Sequence, residues 1–226
     1  MIKKFIKKCI YKNTWSSDAY ISYLKKNGCH VGTGTFFYDP KHNPVDDTSF
    51  NYIEIGDYCQ ITRGVIILGH DYSYSVLGNI FNDLPRPQKK TIIGNNVFIG
   101  MNSIILMGSV IGDNVIIGSG SIVCGKIESN SVYGGNPARK ICSIEEYYCK
   151  CINNFESSAK IYINGFINRY GRMPTYNEMG AYQTLFEKSD IISGKFLGVN
   201  PNKISLITDK MKKNSKFDTI EEFLNS

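Results

Sequence analysis

The chain has 226 residues, 42% of them hydrophobic and 20% charged, with a formal net charge of +6. This balance excludes a disordered or collagen-like chain, and the length suits one main domain with an appendage. The cations crowd the two ends (Lys3, Lys4, Lys7, Lys8, Lys12; Lys210, Lys212, Lys213, Lys216) without alternating with aromatics, which argues against a nucleic-acid surface; seven cysteines without framework spacing read as reduced thiols, and with no secretory signal or apolar run of about 20 residues they predict a cytoplasmic protein.

Residues 1–30 read as an N-terminal helical cap. Ile2, Phe5, Ile6, Cys9 and Ile10 recur at helical spacing with lysines on the other face, so the first helix caps the open end of the main domain or, on the sharper reading, rests on the anionic inner face of a membrane. Ser17 and Asp18 precede a short helical stretch that stops at Gly28, and Val31-Gly32-Thr33-Gly34-Thr35-Phe36 reads as the first, imperfect coil of the main domain.

Next comes a six-residue period. It starts at Ile55-Gly56-Asp57-Tyr58-Cys59-Gln60 and Ile61-Thr62-Arg63-Gly64-Val65-Ile66, breaks after Gly69-His70, and runs unbroken from Ile93-Gly94-Asn95-Asn96-Val97-Phe98 to Ile117-Gly118-Ser119-Gly120-Ser121-Ile122. An aliphatic residue opens each unit and a small residue or valine stands four positions on, so both can point inward while Gly, Asn and Asp turn the corners. Three units close a coil of roughly 18 residues, and stacked coils pair their strands in parallel. A 3.6-residue helix would scatter the openers around its circumference. The expected fold is mainly β, a parallel β-helix over residues 31–141 with a protruding loop over 71–91 and a C-terminal helical extension over 142–226.

The long interruption after His70 is expected to carry function, because loops on rigid scaffolds are where chemistry concentrates. With its histidine-bearing loop and its exit segment Val132-Tyr133-Gly134-Gly135-Asn136-Pro137-Ala138-Arg139-Lys140-Ile141, the repeat resembles the hexapeptide-repeat acyltransferases, in particular the xenobiotic and sugar O-acetyltransferase branch. The resemblance covers about Ile53 to Ile141. It implies a left-handed coil, a homotrimer, acetyl-CoA as co-substrate, no metal, and His70 as the catalytic base that takes a hydroxyl proton. Carried over by position, it places cofactor contacts at Ser119, Gly120, Cys124, Lys126, Arg139 and Lys140. The acceptor falls to Tyr72, Asn82, Arg86 and Phe98 around the loop, with Tyr74 beside them. Two positions depart from the family: Cys124-Gly125 stands where Thr-Lys is common, displacing the cation to Lys126, and Phe98 replaces a usual Trp. Asp71 is a candidate to orient the imidazole, although a neighbour in extended chain points the other way.

Past Ile141 the period becomes helical, with Ser143-Ile144-Glu145-Glu146 and Thr175-Tyr176-Asn177-Glu178 reading as capping boxes, Gly171 as a stop, and Asp218-Thr219-Ile220-Glu221 opening a last helix. The expected activity is O-acetylation of a saccharide hydroxyl in capsule, lipopolysaccharide or a related glycan; an N-acetyltransferase for nucleotide sugars or a streptogramin-type O-acetyltransferase would use similar machinery. A zinc hydratase on the same fold needs three histidines and would have to draw His30 and His42 to His70, which no spacing supports. A non-catalytic, membrane-associated scaffold is a third class.

Overall fold

The computed structural model describes residues 10–186, 199–214 and 216–226, so the amphipathic stretch read at the start of the chain lies, except for Ile10, outside the described residues. The chain forms two compact units, Met1–Glu145 and Glu146–Ser226.

The first unit opens with helix α1 (Ser17–Lys26). Its cap is Ser16, whose hydroxyl accepts the Ala19 N–H at 3.2 Å, and not Ser17; the Ser17 hydroxyl is drawn inward to accept the Phe37 N–H at 3.0 Å. Gly28, at φ +101°, turns the chain into the first coil.

The coils comprise β1 (His30–Val31), β2 (Phe36–Phe37), β3 (Ile53–Ile55), β4 (Gln60–Ile61) and β5 (Ile66–Ile67). After the insertion come β6 (Thr91–Ile93), β7 (Val97–Ile99), β8 (Ile104–Ile105), β9 (Val110–Ile111), β10 (Val115–Ile117), β11 (Ile122–Val123), β12 (Lys126–Ile127), β13 (Ser131–Gly134) and β14 (Arg139–Ser143). They make the three faces of a prism: β1-β3-β6-β9-β12, β14-β13-β10-β7-β4-β2 and β11-β8-β5. Every pairing between these strands is parallel except β13 with β14, where the chain folds back and closes the stack. Ile93 pairs with Ile111, Ile99 with Ile117 and Ile105 with Val123, the 18-residue coil read from the sequence.

The inward residues are the predicted ones. The openers Ile55, Ile61, Ile67, Ile93, Ile99, Ile105, Ile111 and Ile117 are buried, and so are Val97, Ser103, Ser109, Val115 and Ser121 four positions after an opener. Each buried isoleucine contributes roughly 1.5–3 kcal/mol. Serine is tolerated inside because its hydroxyl meets a corner carbonyl: Ser103 Oγ donates to Gly118 O at 3.0 Å. At one corner Tyr58, Asn96, Asn114 and Asn130 all take φ of 55–56°, and the asparagines form a ladder, with Asn96 Nδ2 donating to Asn114 Oδ1 and Asn114 Nδ2 to Asn130 Oδ1, each at 2.9 Å. Glycine after an opener reflects the closeness of the coils, since a Cβ on Gly94 would stand 2.8 Å from the carbonyl of Gly112.

The insertion after His70 is not all loop. It carries helix α2 (Tyr74–Phe81), closed by Asn82 in the left-handed conformation with its N–H on Gly78 O. Apolar Val76, Leu77, Ile80 and Phe81 within eight residues favour helix once the six-residue period is lost.

The second unit is helical. It runs through α3 (Ile144–Asn153), which begins just before it, α4 (Phe155–Tyr170), two short 3₁₀ turns within Tyr176–Leu185 separated by a kink at Gly180, α5 (Ile204–Asn214) and α6 (Ile220–Asn225). Ala159, Ile163, Met179, Phe186, Ile220 and Phe223 form its own core. Gly171 ends α4 at φ +66°, and the Thr175–Glu178 capping box is present. The Glu178 carboxylate also takes a fork of hydrogen bonds from Arg172 at 2.8 and 2.9 Å; Arg172 first, then Thr175, holds its pKa at about 2. Thr219 caps α6 by accepting the Glu222 N–H at 3.0 Å. Among the described residues no helix is long and apolar enough to cross a membrane.

Candidate active site

His70 stands where the chain leaves the three-stranded face, just after β5, at the corner that leads to the five-stranded face. Its Nδ1 is hydrogen-bonded to Asp46 Oδ2, from the coil before. Val45 bridges Ile67, and the Asp46 N–H donates to Ile67 O at 2.9 Å, so Asp46 lies one rung away from the Leu68–His70 turn. The same carboxylate accepts the Gly69 N–H at 2.9 Å on Oδ2, and the Thr48 N–H and Oγ1–H at 3.1 and 2.9 Å on Oδ1. Thr48 Oγ1 also lies 3.0 Å from His70 Nδ1.

The Asp46 side chain is 2% exposed and that of His70 is 14% exposed. Burial pushes the Asp46 pKa up, but the hydrogen bonds from Gly69, His70 and Thr48 together outweigh it and hold the carboxyl below its ordinary value. The folded chain therefore takes up a proton at Asp46 less readily than the unfolded chain. The resulting stabilisation is full above the unfolded value of about 4 and is lost as pH falls through the lower folded value. Asp46→Asn is expected to flatten this acid limb, which urea titrations at pH 3 and pH 6 on both proteins would measure.

Asp71, the candidate orienter from sequence, turns away: its Oδ1 accepts from the Ser73 N–H at 2.9 Å and the Ser73 hydroxyl at 2.5 Å. Beside Asp46 and His70 opens a cavity of about 400 Å³ whose wall includes Tyr20 and Tyr23 of α1, Asp47 and Phe50.

The stem of the insertion is closed by a bridge between His70 and Gln88. Tyr72 meets the His70 ring edge-on, with centroids 4.5 Å apart; Tyr74 packs 5.9 Å from Tyr72, and the Arg86 guanidinium lies 5.2 Å over Tyr74. Tyr72, Asn82 and Arg86 are exposed. Phe98, 41% exposed, stands on the six-stranded face between Gln60 and Ile116, the face that does not adjoin the His70 corner.

The predicted cofactor residues are likewise distributed. Cys124 comes after β11 as Leu68 comes after β5, so it shares the His70 corner two rungs along, roughly 10 Å at the usual spacing of paired strands. Lys126 opens β12 at the same corner with its side chain exposed. Ser119 and Gly120 sit at a different corner, between β10 and β11. Arg139 and Lys140 lie on β14 at the end of the stack, where Lys140 Nζ is bound to Glu128 Oε2 at 2.8 Å. One chain thus joins His70 with Tyr72, Cys124 and Lys126 along one edge, and does not bring Phe98, Ser119 or Gly120 to it.

His30 lies exposed on β1, and His42 is held by Asp39 Oδ2 at 2.8 Å. Among the described residues no group of three His, Cys, Asp or Glu is placed to hold a metal ion.

A prism of parallel six-residue rungs with a carboxylate–imidazole pair at the break in its repeat defines a parallel β-helix. Residues 90–125 match the family model described as bacterial transferase hexapeptide (six repeats). Protein CapG of Staphylococcus aureus is 39% identical over 168 residues, spanning 73% of this chain and 91% of its own. A chloramphenicol acetyltransferase of Klebsiella aerogenes is 34% identical over 103 residues, 38% of this chain and 49% of the relative. Among solved structures, a hexapeptide-repeat acetyltransferase from Vibrio cholerae superposes with a TM-score of 0.47 at 17% identity, over 63% of this chain and 89% of that one. The chain belongs to the bacterial hexapeptide transferases.

Proposed function

We propose that the protein transfers the acetyl group of acetyl-CoA to a hydroxyl of a saccharide, with His70 as general base. The observation that carries this reading is the Asp46–His70 pair: a buried, ionised carboxylate on Nδ1 leaves Nε2 with a lone pair to receive a proton. The acceptor hydroxyl gives its proton to Nε2 as its oxygen bonds the thioester carbonyl carbon. The carbon–sulfur bond then breaks, and the thiolate of coenzyme A takes the proton back from the imidazolium. Asp46 stabilises that imidazolium and stays ionised throughout.

Acetyl as the group transferred is supported by the name of the chloramphenicol acetyltransferase relative. A polar, ring-shaped acceptor suits Tyr72, Asn82 and Arg86, exposed on the insertion beside His70. The thioester end of the cofactor is assigned to the His70 edge, along Cys124 and Lys126. Since Ser119, Gly120 and Phe98 face elsewhere on the same chain, a single site using all of these residues takes them from neighbouring protomers, and a homotrimer is the assembly we assign. Incubating the protein with acetyl-CoA and a panel of saccharides, amino sugars and hydroxylated antibiotics, and following thiol release, is expected to show turnover with saccharide hydroxyls. Turnover confined to amines would overturn O-acetylation, and turnover confined to the antibiotics would overturn the saccharide.

A further inference from the structure

We infer that the cavity beside His70 seats the reacting sugar ring, and that Asp47 at its mouth selects a neutral pyranose over an acidic one. This rests on the reading of His70 as base to a saccharide hydroxyl, and adds where the ring lies and what charge it carries. At about 400 Å³ the cavity falls in the range of small-molecule sites, roughly 300–1,000 Å³. One wall is aromatic: Tyr23 and Phe50 meet edge-on with centroids 5.8 Å apart, and Tyr20 stacks on Tyr23 at 6.4 Å. The Tyr20 hydroxyl donates to Asn43 O at 2.7 Å and accepts the Val45 N–H at 3.2 Å, so this wall is set before anything binds. A pyranose presents a face of C–H bonds that packs on such rings, while its hydroxyls point outward around its rim. The charged lining is Asp46 and Asp47, and no lysine or arginine stands in it. Asp46 is occupied by His70, Gly69 and Thr48. Asp47 lines the cavity yet is exposed, which puts it at the mouth, and among the described residues it has no hydrogen bond or ion pair. Both of its oxygens can therefore accept from neighbouring hydroxyls of one ring. A carboxylate on that ring would instead meet two aspartates with no cation to offset them. Tyr72, Asn82 and Arg86 do not line the cavity and are left to whatever the ring is attached to.

The test reads binding rather than turnover, by saturation-transfer NMR on the full chain without acetyl-CoA. The probes are the methyl glycosides of glucose, galactose and mannose and of the three corresponding uronic acids. Wild type is expected to saturate at least one neutral glycoside, most strongly at its ring C–H protons, and none of the uronides. Asp47→Asn removes the charge and keeps the shape, and is expected to bind the uronide of that same sugar. Asp47→Ala, which removes both acceptors, is expected to weaken the neutral glycoside about 10-fold. No neutral glycoside bound, neutral and acidic forms bound alike by wild type, or discrimination that survives in Asp47→Asn overturns the proposal. Binding as expected, with no thiol released from acetyl-CoA and the same glycoside, supports the seat and overturns instead the reading of His70 as base.

Discussion

Replacing His70 with alanine is expected to lower kcat for acetyl transfer by at least about 100-fold while the chain folds and acetyl-CoA still binds. That factor is the usual scale for loss of a general base and amounts to about 2.7 kcal/mol of barrier. The fold survives because of the hydrogen bonds left behind. Without the imidazole, Asp46 still accepts from the Gly69 N–H, the Thr48 N–H and the Thr48 hydroxyl, so no buried charge is stranded. The residues assigned to the cofactor lie rungs away and keep their strand pairings. Thiol release under saturating acetyl-CoA and acceptor, with the thermal midpoint measured in parallel, is the check; turnover within a few-fold of wild type would remove His70 from the chemistry.

Ile99→Ala is expected to cost about 2–5 kcal/mol of stability. Ile99 is fully buried in the middle of the six-stranded face, paired with Ile61 on one side and Ile117 on the other. In many cores a deleted side chain is partly made good by neighbours moving in. Here the neighbours are rungs held at fixed spacing by parallel hydrogen bonds on every face, so the void cannot collapse along the axis. Urea unfolding should show a lowered midpoint with an unchanged slope; a loss below about 1 kcal/mol would mean that the isoleucine columns are not what holds the coils together.

The coil was legible because a period of six allows few arrangements: residues 93–122 hold it without a break, and their openers are the buried column. His70 was legible from where the period fails. Asp46 and Thr48 were not, because they belong to a coil whose third side is a single bridge at Val45, reached after a 3₁₀ turn (Pro40–His42) that breaks the period. The signal available was the phase itself. If Val45 is set opposite Ile67, Asp46 falls on the level of Leu68, and a carboxylate one rung from the histidine becomes the natural partner in place of the adjacent Asp71. The helix within the insertion was missed for a related reason: a break in a strong repeat reads as loop, although Tyr74–Phe81 is apolar enough to form a helix of its own.

The bridge between His70 and Gln88 pinches the insertion shut at its base, and β5 and β8 on either side of it are paired in register as though nothing lay between them. The pitch of the prism is therefore indifferent to what the pinched segment contains. A segment of another length and composition could therefore replace it while Asp46, His70 and the strand pairings on either side stay where they are.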